Sequence, residues 1–248
     1  MTAVGLVAAL LVADPSQAGA STPSGAPGVA GGGTDRASVE RFRGVARGRD
    51  GAVAYVETHE VVVEGGRVVR AETRYVRPDG NPIARLVSEY APGSFAPEYE
   101  FRDLRTGALE AVRRDAAGVR LLDGDRVKVL PLPEDVPLVA GQGLDRYARA
   151  HLDALARGET LRVSLALPGR LDAFGFRLRG EPIEGGKVRV RFEPTSFILR
   201  VLAPSLEGEY DLTTRRLVRY VGVSNVAGDD GSPQQVEIAY SYDEPNPS

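Results

Sequence analysis

His59 and His151 are the only imidazoles in a chain of 248 residues, and His59 stands in Glu57-Thr58-His59-Glu60. A two-residue spacing on a strand sets both side chains on one face, so Glu57 and His59 would be neighbours there. With His151 from a distant segment, two imidazoles and a carboxylate are donors that a divalent metal accepts. No further histidine exists to complete a His₃ site, and a strand histidine between acids is normally solvated. The expectation is a solvent-facing His59, no metal and no other cofactor.

Nucleophilic and acid–base chemistry are equally thin. No Gly-x-Ser-x-Gly elbow presents a serine for a Ser-His-Asp triad, and Ser94 and Ser196 read as loop or strand-start residues. Glu98 with Glu100, and Glu207 with Glu209, form carboxylate pairs on the outward side of alternating segments. A glycosidase pair needs environments that push the two pKa values apart, which solvated acids lack. The glycines at Gly31 to Gly33 neither follow a strand nor end in Gly-Lys-Ser/Thr, so no phosphate loop is present. These absences point to a chain that is not an enzyme.

Composition narrows the field further. With no cysteine there is no disulfide framework, thiolate metal centre, cysteine nucleophile or acylated lipobox. The 31 Lys+Arg against 34 Asp+Glu give a net charge of −3, whereas nucleic-acid binders concentrate positive charge. Only Lys128 and Lys187 are lysines, so arginines alternating with acids make up nearly all the positive charge. That pattern reads as surface chemistry, with no nucleic-acid partner.

The elements that must position any site begin after two N-terminal segments. Ala3 to Ala13 is an apolar run followed by Ala18-Gly19-Ala20, which fits a secretory signal peptide over residues 1–20. The run is too short for the roughly 20 residues of a transmembrane helix. Met1-Thr2 lacks the usual positive charge, as expected if translation starts upstream. Residues 21–34 are Ser, Pro, Gly and Ala with too few bulky apolar groups to order themselves. Residues 35–248 then form one antiparallel β domain, and the location implied is periplasmic or secreted.

Within that domain, short alternating segments are separated by turn signals. Glu64-Gly65-Gly66-Arg67 and Glu184-Gly185-Gly186-Lys187 mark the firmest hairpins. Leu161, Val163, Leu165 and Leu167 share one face, opposite Thr160, Arg162 and Ser164. Val188, Val190 and Phe192 repeat the pattern, as do Val236, Ile238 and Tyr240. Helix signals are few: Leu144 to Arg157, with Gly158 placed as a C′ glycine, and a weaker Arg36 to Phe42. One helix cannot hide so many apolar strand faces, so the fold expected is mainly β, a strongly curved antiparallel sheet or open barrel with one main helix. The alternative is a β-sandwich.

Asp103-Leu104-Arg105-Thr106-Gly107-Ala108-Leu109 and Asp211-Leu212-Thr213-Thr214-Arg215-Arg216-Leu217 share Asp-Leu-x-Thr-x-x-Leu. Asp and Thr side chains bond a turn backbone while the leucines would pack on one face, the chemistry of a hairpin. Together the signal segment, the Gly/Ser spacer, a meander with these hairpins and a mid-chain helix resemble the Lol-type lipoprotein carriers of the bacterial periplasm and related exported proteins. The resemblance implies an open barrel with a helical lid over a hydrophobic cavity. The chain departs from that pattern in having no tryptophan.

The functional expectation is a non-enzymatic protein that binds a hydrophobic ligand, a lipid or acyl chain, within the curved sheet. Leu161, Val163, Leu165, Phe174, Phe176, Phe192, Phe197, Leu199 and Tyr210 would line the concavity. The alternative is a structural or protein-interaction module of the cell envelope that has no small-molecule ligand and contacts an envelope protein through its striped outer face or an exposed edge strand.

Overall fold

The computed structural model describes residues 37–196 and 206–243. The signal and spacer segments, and the candidates Phe197 and Leu199, lie outside the described residues. The period-2 patterns resolve into strands. The first eight are β1 (Ser38–Arg47), β2 (Val53–Glu64), β3 (Arg67–Val76), β4 (Pro82–Glu89), β5 (Glu98–Asp103), β6 (Leu109–Asp115), β7 (Gly118–Asp123) and β8 (Arg126–Leu130). After β9 (Leu138–Ala140) come the helices α1 (Gly143–Ala150) and α2 (Leu152–Ala156). Then follow β10 (Thr160–Leu167), a 3₁₀ turn Pro168–Arg170, β11 (Asp172–Ile183), β12 (Lys187–Pro194), β13 (Leu206–Asp211), β14 (Leu217–Val223) and β15 (Gln235–Tyr242).

The fifteen strands of the described residues belong to one sheet, in the order β8-β7-β6-β5-β4-β3-β2-β1-β15-β14-β13-β12-β11-β10-β9. Neighbours in sequence are neighbours in space, with two exceptions. The outermost strands of the chain pair with each other, Phe42 of β1 opposite Tyr242 of β15. The consecutive strands β8 and β9 do not pair, and they form the two edges. This is an up-and-down barrel left open along one seam. Residues 131–137 cross that seam and carry Pro131, Pro133 and Pro137, which have no N–H to donate to a ladder. Because α1 and α2 carry the chain back between β9 and β10 as a crossover in place of a hairpin, β9 lies parallel to β10, the one parallel pairing in the sheet. The sandwich alternative is thereby corrected, since one continuous curved sheet takes the place of two stacked ones.

One core gathers residues from both halves of the sheet and from the helices. Leu144, Ala148, Leu152 and Leu155 are fully buried, so α1 and α2 plug the concave side. Burying each leucine contributes about 1.5–3 kcal/mol. The expected helix over Leu144 to Arg157 is present but broken at His151, whose φ of −118° and ψ of 19° leave the α region. At Gly180 of β11 an added Cβ would stand 2.2 Å from the Leu155 carbonyl oxygen, so only glycine lets α2 sit this close. The helical reading of Arg36 to Phe42 is corrected: Ser38–Arg47 is strand. So short a window is a poor helix nucleus, while here β2 and β15 satisfy the backbone on both sides.

The two Gly-Gly turns have positive φ at both glycines, 54° and 71° at Gly65 and Gly66, 76° and 68° at Gly185 and Gly186. The two Asp-Leu-x-Thr-x-x-Leu segments join β5 to β6 and β13 to β14. Asp103 Oδ1 accepts the Arg105 N–H at 2.9 Å, and Asp211 Oδ1 accepts the Thr214 N–H at 2.7 Å. The leucines differ from expectation, because Leu104 is 47% exposed while Leu217 is fully buried.

On the convex face arginines and glutamates form cross-strand ladders. Glu72 accepts from Arg74 and Arg85 at 2.8 and 2.7 Å, and Glu209 from Arg189 and Arg219 at 3.0 and 3.1 Å. The carboxylates noted in the sequence take part, Glu100 with Arg113 at 2.8 Å and Glu207 with Arg191 at 3.0 Å. They are structural surface groups.

Candidate functional site

Beneath the plug, polar side chains are buried where an all-apolar core would be simpler. Glu57 and His59 are 3% and 4% exposed, and Thr73 and Ser88 are wholly enclosed. This corrects the expectation of a solvated His59. On β2 the odd positions Tyr55, Glu57, His59, Val61 and Val63 share the inward face, so the apolar members of that series carry Glu57 and His59 inside with them.

These groups form a single line of hydrogen bonds. Ser88 Oγ donates to Gln142 Oε1 at 2.9 Å, and Gln142 Nε2 donates to Thr73 Oγ1 at 2.9 Å. Thr73 Oγ1 lies 2.8 Å from His59 Nδ1, and His59 Nε2 lies 3.0 Å from Glu57 Oε2. Tyr240 OH donates to the same Glu57 oxygen at 3.1 Å. Because Thr73 already accepts from Gln142, its own hydrogen is available for Nδ1, and the Nε2–H tautomer of His59 then donates to Glu57. Every bond in the line points toward one carboxylate.

Sheet register places the members. His59 is directly opposite Thr73 on β3 and Phe42 on β1, and the Phe42 ring stacks on the imidazole with centroids 4.2 Å apart. Gly44, opposite Glu57, has the same kind of role as Gly180. A Cβ there would meet Tyr240 Cε1 at 2.6 Å and Glu57 Oε2 at 3.1 Å. Burial holds the hydroxyl pKa values of Tyr55, Tyr75 and Tyr240 well above the ordinary tyrosine range, and the negative charge of Glu57 raises them further. These tyrosines serve as neutral hydrogen-bonding groups.

The plug is tied to the other half of the sheet in the same way. Tyr210 OH on β13 donates to Asp145 Oδ1 at 3.0 Å. Arg215 donates to the Arg149 carbonyl at 2.7 Å and to Asp153 at 3.2 Å. Gln142 and Asp145 therefore fasten one helical segment to both walls.

Seven of the nine residues expected to line a concavity are described, and all lie on β10 to β13. Val163 is opposite Phe176, Leu165 opposite Phe174, and Phe192 of β12 opposite Leu178 of β11. Val163, Leu165, Phe176, Phe192 and Tyr210 are buried in the core, while Leu161 and Phe174 pack on it half-buried. They share one face, and α2 covers part of it at β11 and β12. His151 lies elsewhere, its Nδ1 2.8 Å from the Tyr147 carbonyl oxygen. Among the described residues no three His, Asp or Glu side chains are grouped as metal ligands.

A polar cleft of about 850 Å³ opens at one rim of the barrel, lined by Arg77, Arg105, Glu110, Arg126, Arg170 and Asp229 among others. Arg77 and Arg105 converge on Asp229 at 2.6 and 3.1 Å. Burial raises the Glu110 pKa, opposed by a hydrogen bond from the Gly169 N–H. Sequence reasoning missed Gln142, Thr73, Ser88 and Asp145. Gln142 and Asp145 carry a signal in hindsight, as polar residues within a turn of the inward-facing Leu144. No helix among the described residues is long and apolar enough to cross a membrane.

No protein-family description matches the chain, and no curated protein matches it. One similar solved structure is that of a DUF1329 family protein from Desulfovibrio piger. It is 11% identical, spans 84% of this chain and 85% of its own, and has a TM-score of 0.26.

Proposed function

We propose that the protein is a non-enzymatic binding protein of the bacterial periplasm or exterior, which takes a lipid or acyl chain against the apolar wall of β10 to β13. The observation that carries this reading is the relationship of wall and cover. The wall is a continuous apolar face, and what covers it is a separate helical segment inserted from the open seam and tied to the sheet by a few side-chain hydrogen bonds.

An acyl chain that displaced Leu152 and Leu155 would replace one apolar contact with another. The exchange costs mainly the polar ties of Gln142, Asp145 and Arg215, each worth about 0.5–1.5 kcal/mol net. Apolar burial at about 25 cal/mol per Å² then offsets the loss.

Protein purified from the periplasm and held under native conditions in a mass spectrometer should carry bound lipid. Delipidated protein should enhance the fluorescence of an apolar dye, and Gln142→Ala, which loosens the cover, should enhance it more. Lipid-free protein that leaves the dye unchanged in both forms would overturn the proposal.

A further inference from the structure

The free edge at β8 is a second surface, independent of the barrel interior. Five large apolar side chains are conspicuously exposed among the described residues, and three of them, Val127, Val129 and Leu132, lie within six positions at this edge. Among the described residues, strand β8 has one hydrogen-bonded neighbour, β7, and its other side forms no ladder. Its two faces differ. Val127 and Val129 share the outer face, 52% and 41% exposed, while Arg126 and Lys128 alternate with them on the opposite face. Lys128 is about half exposed and 3.4 Å from Asp172, and Arg126, two-thirds exposed, is paired with Asp123; exposed pairs of this kind are weak enough to exchange partners, and Arg126 and Arg170 both line the adjoining cleft.

We propose that this edge receives an extended segment of another protein whose side chains alternate apolar and acidic, added as a sixteenth strand. Its backbone would use the open N–H and C=O groups of β8, its apolar residues would cover Val127 and Val129, and its carboxylates would face Lys128 and Arg126. A second copy of this chain fits less well. Antiparallel pairing of two β8 strands in the register that sets Val127 against Val129 also sets Lys128 against Lys128, a like-charge contact. An edge lysine followed by prolines is also how sheets resist aggregation. Protection alone, however, gives no reason for two exposed valines on the other face.

The test uses the full chain and two capped nine-residue peptides, one alternating valine with glutamate and one alternating valine with lysine. The valine–glutamate peptide should bind and shift the backbone amide resonances of residues 126–132. Lys128→Glu should weaken it about tenfold or more and gain binding of the valine–lysine peptide, because like charges then meet across the new pair. Val127→Thr with Val129→Thr, which keeps strand propensity, should weaken the valine–glutamate peptide, and the same pair added to Lys128→Glu should weaken the valine–lysine peptide. Three results would overturn the proposal: no binding of either peptide, resonance shifts outside this strand, or concentration-dependent dimers abolished by Val127→Thr with Val129→Thr. The last result would assign the edge to a second copy.

Discussion

Gln142, two residues before the first buried leucine of α1, donates its side-chain N–H to Thr73 on β3, 69 positions earlier and 2.9 Å away. The same amide accepts from Ser88, so one side chain fixes the entry of the plug against two strands. Gln142→Ala would take from the enclosed Ser88 hydroxyl its Gln142 acceptor, at a cost of about 1–3 kcal/mol, and would remove one donor from Thr73, which keeps its bond to His59. The expected result is a lowered thermal midpoint and faster amide exchange across α1 than in β2 and β3, read by hydrogen-exchange mass spectrometry. Equal acceleration everywhere would mean that the amide supports the whole fold and not the plug.

Gly44 should not tolerate a methyl group. Tyr240 and Glu57 already occupy the space, so Gly44→Ala must displace a buried ring or break its bond to the carboxylate. Overpacking of this kind costs about 1–3 kcal/mol. Chemical denaturation should show it as a lower midpoint, and Gly44→Ala combined with Tyr240→Leu should recover part of the loss.

Glu110 sits in the rim cleft with its pKa raised by burial. A carboxyl bound to its proton more tightly when folded is most stabilising below its unfolded pKa, and that contribution is lost as pH rises through the folded value. Glu110→Gln keeps an acceptor for the Gly169 N–H and removes the charge. Its thermal midpoint should exceed that of the wild type at pH 7, with the gap closing toward pH 4.

Glu72 behaves in the opposite sense. Hydrogen bonds from Arg85 and then Arg74 bring its pKa down to about 2. A depressed carboxyl contributes stability above its unfolded pKa and loses it as pH falls through the folded one, here between about 4.5 and about 2. Glu72→Gln should therefore be less stable than the wild type at pH 7 and indistinguishable near pH 2. High salt should narrow the gap at pH 7, because these arginines are largely exposed.

The strands were legible because alternation is local: Leu161 to Leu167 and Val188 to Phe192 show their faces without reference to anything distant. The Gly-Gly hairpins were legible for the same reason. Other features depended on long-range partners. Arg36 to Phe42 reads weakly as helix until β2 supplies a ladder from Ser38 onward and β15 joins at Phe42. The position of His59 was misread because its acidic neighbours, Glu57 and Glu60, were weighed together although they point to opposite faces. Thr73 and Ser88 are ordinary strand residues in sequence, and only the arrival of Gln142 makes them part of a polar line.

The pairing of β1 with β15 has a consequence for how the chain is made. The first of these strands to be made waits for β15 before its second side is covered, so a growing chain carries a raw edge at β1 until β15 has been synthesised. The same closure brings the start of β1 beside the end of β15. A gene rearranged to begin in the proline linker, with the old ends joined, would encode the same sheet with its completion step moved from the last strand to the middle of the sequence.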